Sequence, residues 1–239
     1  EAGSSHPFCK FGTGNLATLS VPDIRLKLMD FHRSYYSSNN MSLCIVGPQS
    51  LDELAAKVEE LFSEIPNREI PHPSFSYSSE KLYQKWANQA TKISVESIKD
   101  LRQLSLRWII QPSLREQYRS KPSYYVSHLV GHEGKGSLLS ALKTKGWATS
   151  LSAGPCLETT SFDTFDVVID LTEEGVQHED EIIAMVFDYL RLIQKEGIQE
   201  WIYTEIKTVA DTEFRFLERE DPVKLARRLS PVPLKFQMN

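Results

Sequence analysis

Between residues 66 and 81 the chain carries Pro66, Pro71 and Pro73 with a cluster of serines and no hydrophobic period. Proline fixes φ and lacks a backbone donor, so neither a helix interior nor a central strand passes through such a tract. The chain must be built as two structural units, one on each side. A boundary near Tyr77 divides it into residues 1–76 and 77–239.

In the first unit, Ile24, Leu28, Phe31 and Tyr35 recur at helical spacing over residues 21–36, with Pro22 in the first turn, where it is tolerated. Residues 41–46 form a short apolar run closed by Gly47-Pro48 and read as a buried strand. Ser50 and Glu53 then make a capping box. The helix behind it places Leu54, Val58, Leu61 and Phe62 on one face. Helix, strand and helix on this scale predict an α+β layer structure.

In the second unit, residues 103–110 alternate with period two, a half-buried strand stopped by Pro112. A helix is expected over 118–131, a short one over 137–143, and a strand over 148–153. Phe165, Val167, Ile169 and Leu171 alternate against Asp166, Val168 and Asp170, which marks another strand. Thr172 caps the next helix, with Glu173 and Glu174 near its positive end. That helix carries Ile182, Ile183, Val186, Phe187, Leu190 and Ile193 and stops at Gly197. A last helix is expected over 199–218.

Bulk numbers set the function classes. With 239 residues, 41% of them hydrophobic, the chain can bury a real core. Its net charge of −5 is interspersed, with no basic stripe, which argues against nucleic acid. No apolar run reaches the ~20 residues a membrane helix needs. The first six residues lack the features of a signal peptide. Cys9, Cys44 and Cys156 are odd in number and far apart, as expected of reduced thiols in a cytoplasmic setting, and Cys44 reads as a core thiol.

One segment concentrates the chemistry. His128, His132 and Glu133 stand among Gly131, Gly134 and Gly136, just ahead of a short helical pattern. Glycine lets a backbone turn tightly or approach a ligand. The cluster is therefore a site or a helix–helix joint. On a helix His128 and His132 share a face. Zinc needs three or four ligands, however, and neither zincin spacing, His-Glu-x-x-His or His-x-x-Glu-His, occurs. A phosphate loop needs a preceding strand and a Gly-Lys-Ser/Thr ending, and here Lys135 is followed by Gly136. No Cys/His pair stands in an activating context such as a strand-to-helix elbow. His6, His32, His72 and His178 read as isolated.

From His128 to Leu139, closed by Lys145-Gly146-Trp147, the sequence closely resembles the insulin-degrading enzyme and nardilysin family of inverzincin, pitrilysin-type zinc metallopeptidases. Further segments agree: His6-Pro7-Phe8, Lys10 to Asn15, Tyr35 to Ser38, Leu61 to Glu64, Asp170 to Gly175 and Glu213 to Phe216. The likeness is collinear to about Leu229; beyond it, residues 230–239 depart. It implies two-layer sheet-and-helix domains, the end of one (1–76) and most of the next (77–239).

The resemblance also implies a division of labour. In the family the zinc motif and third ligand precede the His-Pro-Phe segment, and further site residues come from the other half. It thus implies no catalytic residue, metal or cofactor here, with zinc in the intact family. The family's second domain grips the amino end of a peptide substrate through a strand edge and a neighbouring helix. By position, His128, Gly131 and Glu133 match the helix side. Leu151, Ser152, Ala153 and Gly154 match the edge, where Ser152 and Ala153 depart from the family's Leu-Val-Gly-Gly. Peptides are the expected partners, with a full-length homologue or a second copy next, and neither nucleic acid nor membrane. Two rivals stand: a pairing module that assembles with a full-length relative, and a self-sufficient metal hydrolase using His128, His132 and Glu133.

Overall fold

The structure is a computed structural model that describes residues 12–72, 90–159 and 162–236. Near its start, α1 (Leu16–Leu19) is held by a reciprocal cap between Asn15 and Thr18. Helix α2 (Ile24–Tyr35) starts after Asp23, which is left-handed at φ 59°, so Pro22 lies ahead of the helix rather than in its first turn. Helix α3 (Leu51–Phe62) has the expected capping box. The Ser50 N–H donates to Glu53 Oε2 at 2.9 Å, and the Glu53 N–H to Ser50 Oγ at 3.3 Å.

The strand expected over 41–46 does not form. Met41 is extended, but a strand needs a neighbour for its ladder, and among the described residues none pairs with this segment. Leu43 and Ile45 are accordingly exposed, and Cys44 is only half-buried rather than a core thiol.

Most of the proline-serine tract lies outside the described residues. Beyond it, β1 (Gln103–Ile110) leads to α4 (Pro122–Val130), with Pro122 at its first position, then α5 (Leu138–Thr144), capped by Ser137. The chain continues into β2 (Ala148–Glu158) and β3 (Asp163–Leu171). These strands form one antiparallel sheet in the order β1-β3-β2. Register fixes the two faces. Leu104, Ile169 and Leu151 share one rung, and Leu106, Val167 and Ala153 the next of that face. Gln103, Asp170 and Ser150 form a rung of the opposite face. The ladder between β2 and β3 is irregular near both ends, between Ala148 and Ser150 and between Pro155 and Glu158.

Thr172 caps α6 (Glu173–Val176) by accepting the Gly175 N–H. A single helix onward to Gly197 was expected; instead the chain breaks at Gln177–His178, and α7 (Glu179–Glu196) starts afresh. Helix α8 (Glu200–Arg215) follows, and then α9 (Pro222–Leu229) and α10 (Val232–Phe236). Val130, Leu139, Leu142, Val167, Ile169, Ile182 and Val186 form the fully buried centre between the sheet and α4, α5 and α7. Each such side chain contributes about 1.5–3 kcal/mol of burial.

The chain divides into two compact units, 1–75 with 217–239, and 76–216. Residues 217–239 thus group with the first unit, where the Ser42 hydroxyl donates to the Ser230 carbonyl. Among the described residues of this unit, Ser37 is buried but no apolar side chain is.

Candidate functional site

Helix α4 ends between the two histidines. Gly131 is its C-cap, and the Gly131 N–H donates to the Ser127 carbonyl at 2.8 Å. His128 therefore rides the last helical turn while His132 lies past it, so the helix stops at the glycines as read and the two histidines share no helical face. Their rings still approach to 5.9 Å between centroids. Glu133 is 71% exposed and its Oε2 lies 4.0 Å from Lys143 Nζ.

Among the described residues, β2 is an edge strand of the sheet, paired with β3 on one side. The end of α4 reaches it at two glycines. A Cβ on Gly131 would lie 2.9 Å from the Ser127 carbonyl oxygen and 3.8 Å from the Ala153 nitrogen. One on Gly154 would lie 3.3 Å from Ser127 Oγ. The structure thus brings Gly131 beside Ala153 and Ser127 beside Gly154, with His128 and Glu133 exposed nearby along the chain. Leu151 differs: it is 6% exposed and its side chain belongs to the core, so only its main chain can join a surface. Ser152 is exposed. Chemically the place offers alternate main-chain donors and acceptors along an edge. It also offers the carbonyl end of a helix, where the dipole favours a cation.

Zinc does not fit these residues. Among the described residues no three of His, Cys, Asp and Glu converge on a point. Glu133 leans to Lys143 rather than to the imidazoles, and no step through a metal is derived.

Three constellations escaped the sequence. On the outer sheet face the Asp170 carboxylate accepts from Ser150 Oγ at 2.5 Å and from Gln103 Nε2 at 3.0 Å. The Ser150 bond first, then that of Gln103, holds its pKa below the usual aspartate value. Two rungs away Arg107 pairs with Asp166 through Nε and a 2.5 Å contact from its terminal nitrogen. His178 is not isolated: it stacks on Trp147 at 4.3 Å and contacts Glu174 and Glu181, each at 3.2 Å. The polar alternation Gln103, Ser150 and Asp170 was legible; which strands stand side by side was not.

Solved structures share this arrangement of sheet and helices. A crystal structure of pitrilysin superposes with TM-score 0.76 at 24% identity, over 98% of this chain and 25% of that one. The peptidase M16 inactive domain from Pseudomonas fluorescens gives 0.57 at 16% identity, over 98% of this chain and 52% of that one. These establish a pitrilysin-like α+β fold.

Sequence carries the assignment further. The family signature described as the peptidase M16 inactive domain matches residues 23–209, and the chain belongs to that family. Insulin-degrading enzyme of Homo sapiens is 42% identical over 226 residues, 91% of this chain and 21% of that protein. The Drosophila melanogaster insulin-degrading enzyme is 41% identical, over 94% of this chain and 23% of its own length. Human nardilysin is 36% identical, over 95% and 20%. The chain therefore spans about a fifth to a quarter of the length of these relatives.

Proposed function

We propose that this chain is the non-catalytic, peptide-anchoring segment of an insulin-degrading-enzyme-like zinc metalloendopeptidase of the cytosol. The observation that carries the reading is the meeting of the α4 end with the edge of β2 at Ala153 and Gly154. A peptide adds as a strand along Leu151, Ser152 and Ala153, using main-chain hydrogen bonds, which tolerate the Ser152 and Ala153 departures. Helix α4 closes that edge at Gly154, so the peptide stops there with its amino group. The helix carbonyl end and the Glu133 carboxylate both favour the α-ammonium. His128 flanks the same place. In the intact enzyme, zinc bound elsewhere would activate the attacking water.

An amide chemical-shift titration with a short peptide and its N-acetylated twin tests this. Shifts at 151–154 with the free peptide, reduced by acetylation and by Glu133→Gln, are expected. Equal response to both peptides, or none at millimolar peptide, overturns the anchor.

The pairing reading has its own support in the first unit, where Leu28 is 61%, Phe31 54% and Leu43 51% exposed. Co-sedimentation with a full-length relative would favour it.

A further inference from the structure

The outer sheet face holds a carboxylate whose neighbours do not neutralise it. Asp170 is half-buried on β3, and both side chains that bond it, Ser150 and Gln103, are neutral donors. Among the described residues no ion pair reaches it. The contrast with Asp166 on the same strand is direct: Arg107 neutralises Asp166 with a bidentate clamp. Ser150, on the edge strand β2, stands directly between Asp170 and whatever is added beyond that edge.

We infer that Asp170 selects a basic side chain, lysine or arginine, at the fourth or fifth residue of a peptide laid along β2. This rests on the anchoring reading above and names the specificity of that same edge. The geometry gives the position. With the amino end stopped beside Gly154, a peptide that follows the edge toward Ser150 runs antiparallel to β2. Four residues of strand, about 14 Å, separate Gly154 from Ser150. A residue opposite Ser150 then projects its side chain onto the face that carries Asp170. The added strand lies two strand spacings from β3, roughly 10 Å. A lysine or arginine side chain bridges that distance over a serine, which is the shortest hydroxyl side chain and is already turned to the carboxylate. A parallel peptide would run toward Glu158 instead and never pass Asp170, so the position of the preference also reports the direction of the chain.

The test titrates the 239-residue chain with alanine-based peptides carrying a free amino end and lysine, norleucine or glutamate at position four or five. Amide shifts at 151–154 are the readout. Lysine should bind about two- to fivefold more tightly than norleucine, the scale of a partly exposed ion pair. Glutamate should bind more weakly than norleucine. The lysine advantage should vanish in Asp170→Asn, persist in Asp170→Glu, and fade in about 1 M salt, where screening acts within ~3 Å. Moving lysine to position two should abolish it. Equal affinity for lysine and norleucine in the unaltered chain, with Asp170→Asn without effect, overturns the inference and leaves the amino-end anchor standing. No shift at 151–154 with any peptide overturns the anchor and this inference together.

Discussion

Replacing Gly175 by alanine should be among the most damaging single-methyl additions in the second unit. A Cβ there would sit 1.9 Å from the Trp147 carbonyl oxygen and 2.9 Å from its carbon. Ordinary contact begins near 3.5 Å, so the overlap is gross and falls on main chain, not on a flexible tip. That carbonyl cannot step aside freely. It accepts the Thr172 N–H at 3.1 Å, while the Trp147 N–H donates to the Leu142 carbonyl at 3.0 Å. From the other side, Thr172 Oγ1 donates to the Gly146 carbonyl at 2.6 Å and accepts the Gly175 N–H at 2.9 Å. Forced overpacking costs about 1–3 kcal/mol. Losing one or two of these hydrogen bonds adds about 1 kcal/mol each. The better helix propensity of alanine returns about 1 kcal/mol. The net expectation is a loss of about 1–4 kcal/mol, which lowers Tm by up to roughly 10 °C at ~2–4 °C per kcal/mol. Urea unfolding followed by tryptophan fluorescence measures it, as a lower midpoint at unchanged slope. Gly12→Ala is the control, because among the described residues nothing lies within 4 Å of a Cβ there, and it should stay within about 0.5 kcal/mol of the parent. If Gly175→Ala matches that control, the corner yields and the packing argument is wrong.

Three further outcomes follow from the same geometry. The Glu181 carboxylate, then Glu174, raises the His178 pKa above the ordinary histidine value, against the opposing effect of burial. The stabilisation from His178 is therefore complete below about pH 6.5 and disappears as pH rises through the folded-state value. His178→Gln should lower the urea midpoint more at pH 6 than at pH 9, and an effect independent of pH would contradict this. Asp163, 5% exposed, accepts the Leu114 N–H at 2.6 Å and the Ser113 hydroxyl at 2.8 Å. Asp163→Ala strands both donors and should cost about 1–3 kcal/mol by urea unfolding, with loss of exchange protection at Leu114; a neutral result would mean that water replaces the carboxylate. Finally, the purified chain should cleave a fluorogenic peptide no faster than buffer, with or without added zinc. Chelator-sensitive hydrolysis by this chain alone would revive the His128, His132 and Glu133 hydrolase.

The second unit was largely legible because its strands carry period-two patterns and its helices their caps. Thr172 caps the helix it was expected to cap, the short helix expected over 137–143 forms as Leu138–Thr144, and residues 103–110 form β1 as read. The first unit was less so. Residues 41–46 are a short apolar run closed by Gly47-Pro48, yet such a run describes only composition, and a strand also needs a partner. The break at Gln177–His178 was hidden for a different reason: apolar spacing runs through it, and only the seat of Gly175 on the Trp147 carbonyl shows why the chain turns. At the candidate site, the glycines announced close approach but not to what. Gly131 meeting Ala153, and Asp170 lying beneath Ser150, are long-range facts of register that no local pattern encodes.

The irregular ends of the β2 ladder limit what its exposed edge can recruit. Proline at position 155 offers no N–H, and the register slips there and again at Ala148–Ser150. Only a stretch of about five residues between these breaks keeps the regular spacing a new strand needs. A long β-rich chain would lose its ladder at either end, so the edge resists templating fibrils or sheet-to-sheet polymerisation. A short peptide end loses nothing. The same defects that shorten the ladder make it a reversible dock rather than a seed for aggregation.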